Sequence, residues 1–260
     1  MKVSLFYNPN KLSQTLIDEI KEAIIGKGFI IDDENPELIF YVGGDGTFLR
    51  AAQRYLDKLD SLLFVGIGCG HLGFLYDYRR DELDVLLDDL LNKRLNPREY
   101  PLIKAELVQN DKIDEIFALN EIRIENPFHT LVCDVHINDE QLETFQGNGL
   151  VVSSSIGSTA YNRSLGGAII EQNLSLLELT EIATIQSNLA HSLNSSLILN
   201  GNTKITFDAS FEKVVIGYDH LNLQNSGIKK IVISLSDKKI RVLKNKDRTY
   251  ISHLKECFVK

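Results

Sequence analysis

The residues most suited to chemistry in this sequence are five consecutive ones, Gly43-Gly44-Asp45-Gly46-Thr47. Glycines let the backbone turn sharply and let a ligand approach bare main-chain N–H groups. No Gly-Lys-Ser/Thr follows, so this is not a Walker-type loop. The Asp45 carboxylate could accept a proton from an attacking hydroxyl or help to hold a metal ion. The alternative is an ordinary tight turn, because Asp beside Gly is common in loops.

The position of this loop in the chain favours a binding site over a simple turn. An apolar run at residues 38–42 precedes it, and residues 48–53 after it are typical of a helix. A helix N-terminus supplies unpaired donors and a positive dipole end, which suit a phosphate. Open α/β sheets also bind ligands at the carboxyl ends of their strands. Gly43, Gly44 and Thr47 are therefore predicted to form a phosphate loop.

Strands and helices alternate in the N-terminal part of the chain. Strands are predicted at 2–7, 38–42 and 62–67, and apolar residues at helical spacing predict helices up to Gly26 or Gly28, to about Tyr55, and around 83–91. This alternation predicts a parallel sheet covered on both faces. A second glycine-rich turn, residues 68–74, should line the same crevice as the first.

The pattern changes between Pro97 and Pro101. Around residues 103–107, 131–137 and 231–235, apolar residues recur at every second position, which predicts strands with two different faces. An antiparallel, sandwich-like second domain follows, with its boundary near Tyr100. The predicted domains are 1–99 (α/β) and 100–244 (all-β). One segment rich in Gly and Ser, from Gly147 onward, is predicted to become helical around 174–183.

Two groups in the second domain could contact a ligand. Asn120-Glu121 supplies an amide and a carboxylate, which suits vicinal ribose hydroxyls, although a loop Asn and an exposed Glu is the favoured interpretation of these two residues alone. Residues 147–161 concentrate hydroxyl groups, which favours a polar pocket for a heterocycle. Ser158 or Thr159 could instead be a helix N-cap, but that would explain only one hydroxyl.

Histidine and cysteine residues give weaker signals. Only His71, in the second glycine turn, and His220, beside Asp219, are candidates for a cleft, and the other four histidines are expected to be structural or solvent-facing. The three cysteines are far apart and indicate neither a metal site nor a disulfide framework. No motif of a nucleophilic serine or cysteine enzyme is present.

Composition excludes some partners. The 260 residues are 43% hydrophobic and 25% charged, as in a soluble globular protein, and the formal net charge is -8. An acidic chain does not favour nucleic acid or an anionic membrane as its main partner. The first apolar run is too short for a signal peptide, and no run approaches the roughly 18 apolar residues of a membrane span. A reduced, cytoplasmic protein is expected.

Four motifs together resemble the NAD kinases, in particular the compact bacterial type: residues 43–47, residues 70–74, Asn120-Glu121 and Gly157-Ser158-Thr159-Ala160-Tyr161. The first motif is shared with diacylglycerol and sphingosine kinases, and the last points to NAD. The resemblance implies phosphorylation of the 2′-hydroxyl of the adenosine ribose of NAD, with ATP as donor and a divalent cation (Mg²⁺) bound mainly through ATP. It also implies an α/β domain, a β-sandwich, a tail (245–260) returning to the first domain, and a homodimer or homotetramer.

The resemblance also implies roles for individual residues. Asp45 matches the proton acceptor, Gly46 its partner in the loop, and Arg50 a position that is often basic and near phosphate. Asn120 and Glu121 match the dinucleotide-binding pair. Further positions match the segment that holds the adenylate side or pocket residues around it: Thr159, Ala160, Tyr161, Asn162, Arg163 and Ser164 in the segment, and Phe74, Ile156, Ala183 and His220 in the pocket. No residue is assigned as a protein ligand of a metal.

The sequence departs from the family pattern at Asn148, where Asp is usual, and lacks the usual proline in Ser153-Ser154-Ser155-Ile156-Gly157. A neutral Asn148 offers no charge to the cationic nicotinamide ring, so weaker discrimination of NAD from NADH is expected, unless Asn148 is only a turn residue. Two other functions stay open: a lipid or sphingoid-base kinase, which would need a large apolar pocket, and a non-catalytic NAD sensor, against which the intact Asp45 speaks.

Overall fold

The structure is a computed structural model that describes residues 1–12, 14–70, 73–110, 112–186, 191–224, 227–245 and 247–259. The chain forms two compact units, one of Met1–Tyr100 with Lys238–Lys260 and one of Pro101–Asp237. The predicted fold class, an α/β N-terminal part followed by a β-rich part, is confirmed.

The first unit contains the helices and parallel strands of the N-terminal part. In chain order its elements are β1 (Lys2–Tyr7), α1 (Gln14–Gly26), β2 (Ile30–Ile31), β3 (Leu38–Val42), α2 (Asp45–Arg54), β4 (Leu63–Gly68), β5 (Tyr78–Arg79) and α3 (Leu83–Leu91). Short 3₁₀ helices cover Leu56–Ser61 and Arg80–Glu82.

Most of the remaining elements are strands. They are β6 (Asn96–Val108), β7 (Ile113–Ala118), β8 (Glu121–Glu125), β9 (Leu131–Ile137), β10 (Glu140–Gly147), β11 (Gly149–Ser154), α4 (Tyr161–Ser164), β12 (Leu176–Ile182), β13 (Leu197–Asn200), β14 (Ile205–Ala209), β15 (Val215–Tyr218), β16 (Leu221–Leu223), β17 (Lys230–Lys244) and α5 (Tyr250–Phe258). A 3₁₀ turn covers Gly157–Thr159. Strands β6 and β17 each contribute residues to both units.

Parallel strands in the order β2-β1-β3-β4 build the sheet of the first unit, and β5 pairs with β4. Strand β3 is buried along its whole length, which explains its uninterrupted apolar sequence. Helices α1 and α3 pack Ile17, Ile20 and Leu86 into the core beside it. Because β1, β3 and β4 are parallel, the loops that follow them leave the same edge of the sheet.

Two sheets build the second unit around one core. One has the order β7-β6-β17-β14-β9-β10, and the other has the order β13-β12-β11-β8-β15-β16. Val135 and Phe207 from the first sheet and Ile124 and Val152 from the second belong to the same buried cluster. Alternating strand residues thus form the inner faces of a sandwich, as the period of two predicts.

The structure differs from the sequence prediction at two places. The helix expected around 174–183 is wrong, because Leu176–Ile182 forms β12, in which Leu177 and Leu179 alternate into the core. The second unit also ends at Asp237, whereas the predicted second domain ended at residue 244. Lys238–Lys244 belongs to the first unit, where Val242 pairs in parallel with Phe64 of β4.

Candidate active site

The glycine loop joins β3 to α2 in the first unit, as predicted. Gly43 has φ +144°, and a side chain there would meet Thr47 Oγ1, so both the backbone conformation and the space require glycine. Gly44 is the extended N-cap residue of α2, with no side-chain capping bond. Asp45 is the first helical residue, where the helix dipole favours a negative charge.

A cleft of about 290 Å³ opens over this loop. It is lined by Asn8, Lys11, Leu12, Val42, Gly43, Gly44, Gly46, Thr47, Arg50, Cys69 and Gly70. Two cationic side chains, Lys11 and Arg50, thus face a glycine loop at a helix N-terminus, an arrangement suited to phosphate groups. Gly43, Gly44, Gly46, Thr47 and Arg50 are brought together as the sequence predicts.

Sequence reasoning missed Lys11 and Asn8 in this cleft. Both follow β1, and the carboxyl ends of adjacent parallel strands meet at one edge of a sheet. A polar loop after β1, Asn8-Pro9-Asn10-Lys11, was the signal that could have identified them. His71 and Leu72, from the second glycine turn, lie outside the residues that the structure describes.

The Asp45 carboxylate is held by main-chain donors. Its Oδ1 accepts the N–H groups of Phe74 and Leu75, both at 3.0 Å, and its Oδ2 accepts the N–H of Phe74 at 2.8 Å. Burial raises the pKa of Asp45 above its ordinary value, and the two N–H groups, together with Lys244 and His253, offset part of the rise. The carboxylate is therefore fixed in direction and more basic than an ordinary Asp.

The segment that holds Asp45 is itself bound by buried residues near the C-terminus. The Lys244 ammonium donates to Asp77 Oδ1 at 2.9 Å and to the Leu75 carbonyl at 3.2 Å. His253 Nε2 lies 3.2 Å from the same Asp77 oxygen. These contacts lower the pKa of Asp77 to about 2, against the opposing effect of burial. His253, expected to be structural or solvent-facing, is buried and structural, although the sequence does not indicate its contact with Asp77.

Phe74, predicted as a pocket residue, has a buried side chain in the first unit. Its ring stacks on Phe258 with a centroid distance of 5.9 Å and meets Tyr250 edge-on at 5.6 Å, both in α5. The group that Phe74 directs toward the candidate site is its main-chain N–H, which binds Asp45. The tail predicted to return to the first domain therefore packs against the residue that holds Asp45.

In the second unit, Asn120 and Glu121 lie at the turn from β7 to β8, and both are buried. Asp219 holds this turn, because its carboxylate accepts the N–H of Asn120 at 2.7 Å and that of Leu119 at 2.9 Å. Asp219 has φ +48°, a left-handed conformation that Asp and Asn tolerate better than most residues. The alternative of an exposed Glu does not hold, since Glu121 is 4% exposed.

Glu121 is a buried carboxyl group with an unsatisfied oxygen. Oε1 lies 3.4 Å from Arg123 Nη1, whereas Oε2 has no hydrogen-bond partner among the described residues. Burial, with smaller contributions from the Asp219 and Glu125 charges, raises the pKa of Glu121 to about 8, although Arg123 opposes the rise. This buried Oε2 atom is an acceptor that a ligand hydroxyl or an ordered water can satisfy, as can the other buried polar atoms without a partner among the described residues.

Tyr161 belongs to the same group of side chains. Its hydroxyl donates to Glu125 Oε1 at 3.0 Å, and the Arg123 guanidinium lies 5.5 Å from the centre of its ring. Arg123 also donates to Glu125 Oε2 at 2.9 Å. The predicted residues Glu121 and Tyr161 are thus brought together by Arg123 and Glu125, which sequence reasoning missed because they alternate along β8 like ordinary surface charges.

The serine and threonine hydroxyls at the end of β11 and in the following loop bind main-chain carbonyls. Ser154 donates to Leu119 O at 2.6 Å, Ser158 to Ser155 O at 2.7 Å and Thr159 to Ile156 O at 3.2 Å. Neither Ser158 nor Thr159 is an N-cap, since α4 is preceded by Ala160 with no side-chain capping bond. Their hydroxyls instead satisfy main-chain carbonyls and fix the loop.

Asn148 has a structural contact. Its side-chain Nδ2 donates to the Asn126 carbonyl at 3.0 Å, and its main-chain N–H donates to Ile182 O at 2.9 Å. Its backbone is not left-handed, so Asn148 is not a turn residue of that kind. The glycines on either side are required by close packing, because a side chain at Gly149 would meet the Ile124 carbonyl.

Comparisons with known proteins give the family. Residues 119–245 match the family model for the ATP-NAD kinase C-terminal domain. The NAD kinase of Lactobacillus gasseri is 33% identical over 261 residues, covering 100% of this chain and 98% of that protein. NAD kinase 1 of Bacillus anthracis is 32% identical and covers 100% of the chain and 99% of that protein.

The chain belongs to the NAD kinase family. The fold agrees with solved structures of the family. Yeast NADH kinase in complex with NADH matches with a TM-score of 0.84 at 18% identity, over 98% of this chain and 86% of that one. The NAD kinase of Archaeoglobus fulgidus in complex with ATP matches with a TM-score of 0.82 at 23% identity, over 98% and 99% of the two chains.

The remaining residues matched to NAD kinases differ in exposure. Asn162 is fully buried, donating to Glu178 Oε2 and accepting from Thr180 Oγ1, both at 2.7 Å. Its role in the structure is therefore to fix α4. Ile156 is also buried, Thr159, Ala160 and Tyr161 are half-buried, and four are exposed: Arg163, Ser164, Ala183 and His220.

Proposed function

We propose that this chain transfers the terminal phosphoryl group of ATP to the 2′-hydroxyl of the adenosine ribose of NAD, giving NADP and ADP. The observation that carries the proposal is the position of the Asp45 carboxylate. Two main-chain N–H groups hold it in place, and its neighbours in the chain, Gly44 and Gly46, line a cleft that contains two cationic side chains. The match of the whole chain to NAD kinases supports the same reaction.

The first unit supplies the donor site in this proposal. The glycine loop, Lys11 and Arg50 bind the ATP phosphates and offset their charge. Loss of the hydroxyl proton accompanies formation of the new bond from ribose oxygen to phosphorus, while the bond from phosphorus to the leaving ADP oxygen breaks. Asp45 Oδ2 accepts this proton, because it holds one hydrogen bond from the described residues and an ionised carboxylate oxygen can accept about two.

The second unit holds the dinucleotide in this proposal. Glu121 Oε2, buried and unsatisfied, accepts a ribose O–H, and the Asn120 side chain lies next to it in the chain. Tyr161 packs against the adenylate side with its phenol fixed by Glu125. Ile156, Thr159, Ala160, Asn162, Arg163, Ser164, Ala183 and His220 complete the proposed dinucleotide site, with Asn148 near it.

A divalent cation, Mg²⁺, is proposed to accompany ATP. In the part of the chain that the structure describes, no three His, Cys, Asp or Glu side chains come together as a metal site. Mg²⁺ commonly binds through substrate phosphates and water with few protein ligands, which fits a cation carried by the nucleotide. When bound, it neutralises charge on the transferred phosphoryl group.

Location and assembly are further proposals. No helix among the described residues is long and apolar enough to cross a membrane. We propose that the protein is cytoplasmic, because its cysteines Cys69, Cys133 and Cys257 are free thiols, which is typical of a reducing compartment. We also propose that it forms a homodimer or homotetramer, as the family resemblance implies. Analytical ultracentrifugation would distinguish these assemblies from a monomer.

The test is a product assay with purified protein, ATP, Mg²⁺ and NAD. Formation of NADP is the expected result, with sphingosine and diacylglycerol tested in parallel as acceptors. Phosphorylation of either lipid without NADP formation would favour the lipid kinase alternative. Binding of NAD without turnover would indicate a sensor. Parallel assays with NADH, other nucleoside triphosphates and polyphosphate would define the acceptor and donor range.

A further inference from the structure

A buried cluster of three charged or ionisable side chains lies behind the segment that holds Asp45. Lys244, Asp77 and His253 are 7%, 4% and 7% exposed. We name them the Asp77 cluster. Asp77 accepts from Lys244 Nζ at 2.9 Å and from the main-chain N–H of Asn245 at 2.6 Å, and His253 Nε2 lies 3.2 Å from it.

The cluster is joined directly to the two residues that bind Asp45. Lys244 donates to the carbonyl of Leu75, whose N–H donates to Asp45 Oδ1. The His253 ring centroid is 5.8 Å from that of Phe74, whose N–H donates to both Asp45 oxygens. A shift of the cluster would therefore move the donors that orient the Asp45 carboxylate.

Stability alone does not explain a buried cluster of this kind. The desolvation of two charges commonly cancels their attraction, so an apolar replacement of similar volume is often as stable. Because the cluster lies beside the buried Asp45 carboxylate, it also affects the ionisation of Asp45. Lys244 and His253 both favour the ionised form of Asp45. Among the described residues, the phenols of Tyr41 and Tyr76 also interact with the charge of Asp45, and burial raises the pKa of both, so that they stay neutral.

We propose that the Asp77 cluster is a positioning device that orients the Asp45 carboxylate and keeps it ionised for proton transfer. Lys244 and His253 are positioning residues, since Lys244 acts on Asp45 through Leu75 and through its own charge, and His253 acts through its ring contact with Phe74. The inference rests on the proposed role of Asp45 as proton acceptor and extends it to the C-terminal segment of the chain.

The test compares Lys244→Met and Lys244→Arg with the unmodified full-length protein. Lys244→Met is expected to lower kcat by about tenfold or more, with KM for ATP and NAD changed by less than about twofold, since the donors of Asp45 are displaced and not the substrate contacts. The acid limb of the kcat profile should move to higher pH by about one unit, because a nearby cation is lost. Lys244→Arg keeps the cation, so its kcat and the pH of its acid limb should both be close to those of the unmodified protein.

Arg248→Gln is the matched control. Arg248 belongs to the same C-terminal segment, but its guanidinium binds Glu82, at 2.8 and 3.0 Å. The Arg248→Gln substitution should leave kcat and the acid limb of the kcat profile unchanged. If Lys244→Met fails to fold, Asp77→Asn combined with Lys244→Met removes both members of the ion pair and should show the same fall in kcat, because the Leu75 carbonyl still loses its Lys244 donor. The acid limb should shift less than in Lys244→Met, because an anion is removed together with the cation. A folded double variant with unchanged kcat would overturn the proposal.

A measurement without turnover separates this inference from the proposed function. The Asp45 carboxyl carbon, assigned by ¹³C NMR from its absence in Asp45→Asn, should titrate at a higher pH in Lys244→Met than in the unmodified protein. An unchanged titration overturns the role of the cluster whatever the activity. Absence of NADP formation by the unmodified protein, with the shifted titration intact, overturns the proposed function and not the electrostatic coupling.

Discussion

Replacing Glu121 with glutamine removes a buried carboxyl group while keeping its shape. Glu121 is 4% exposed, and burial raises its pKa from 4.5 to about 8. The folded protein therefore keeps this proton over a pH range in which the unfolded chain has released it. The stability that this carboxyl contributes is present below about pH 4.5 and is lost as the pH rises through about 8.

The size of the effect follows from the shift. One pKa unit corresponds to about 1.4 kcal/mol, so the full change in the free energy of unfolding is on the order of 4–5 kcal/mol. Urea unfolding of both proteins at about pH 5 and about pH 9 measures it. The stability of Glu121→Gln relative to the unmodified protein should increase by about 3–5 kcal/mol between the two pH values.

Glu115→Gln is the control, because Glu115 is an exposed residue of β7. Its stability difference from the unmodified protein should not change between the two pH values by more than about 0.5 kcal/mol. If Glu121→Gln behaves like this control, burial does not hold the Glu121 carboxyl protonated in the folded protein.

The same substitution tests the ligand contact. If a ribose hydroxyl donates to ionised Glu121, the NAD affinity of the unmodified protein should rise with pH up to about 8, by at most about tenfold per pH unit. Calorimetry should show that Glu121→Gln removes this dependence and weakens NAD binding by about tenfold, with ATP binding nearly unchanged. Equal weakening of both ligands would contradict the ribose contact.

Three further substitutions test separate contacts. Asp219→Asn tolerates the left-handed backbone but loses the charge that holds the turn at Asn120, so NAD binding should weaken by about tenfold and ATP binding stay constant, as calorimetry can measure. Lys11→Met should raise KM for ATP by about fivefold or more and leave KM for NAD unchanged in steady-state kinetics; equal effects on both would contradict a phosphate contact. Asn148→Asp should lower the free energy of unfolding by about 1–3 kcal/mol in urea, since its carboxylate would face the Asn126 carbonyl. It should also increase the preference for NAD over NADH by roughly fivefold, and an unchanged ratio of the two affinities would place Asn148 far from the nicotinamide ring.

Sequence reasoning worked best where one local signal dominates. The buried run of β3, the glycine loop and the N-terminus of α2 are adjacent in the chain, so their spacing predicts the loop and its partners directly. Strands of the sandwich were likewise predicted from their period of two. The failure at β12 has a physical cause: Glu178 is fully buried by contact with Asn162, so both faces of the strand are covered and the alternation is obscured.

The contacts that define the candidate site could not be found from the sequence. Asp219 and Leu119 meet across 100 residues, and Lys244 and Asp77 across 167. Nothing in the neighbourhood of either carboxylate indicates its distant partner. Ionisation is equally non-local, because the pKa of Glu121 depends on burial that only the folded chain creates. Residue types identify groups that could contact a ligand, whereas only the fold shows which of these groups lack a hydrogen-bond partner among the described residues.

Turnover of Asp45→Asn at saturating ATP, Mg²⁺ and NAD tests most directly whether Asp45 accepts the ribose proton. The amide can still accept main-chain N–H bonds through its oxygen, but it cannot accept a proton from the ribose hydroxyl. NADP formation should fall by roughly 10²–10⁴, with NAD affinity changed by less than about twofold and the fold retained as judged by circular dichroism. Normal turnover in a folded Asp45→Asn protein would remove Asp45 from the mechanism.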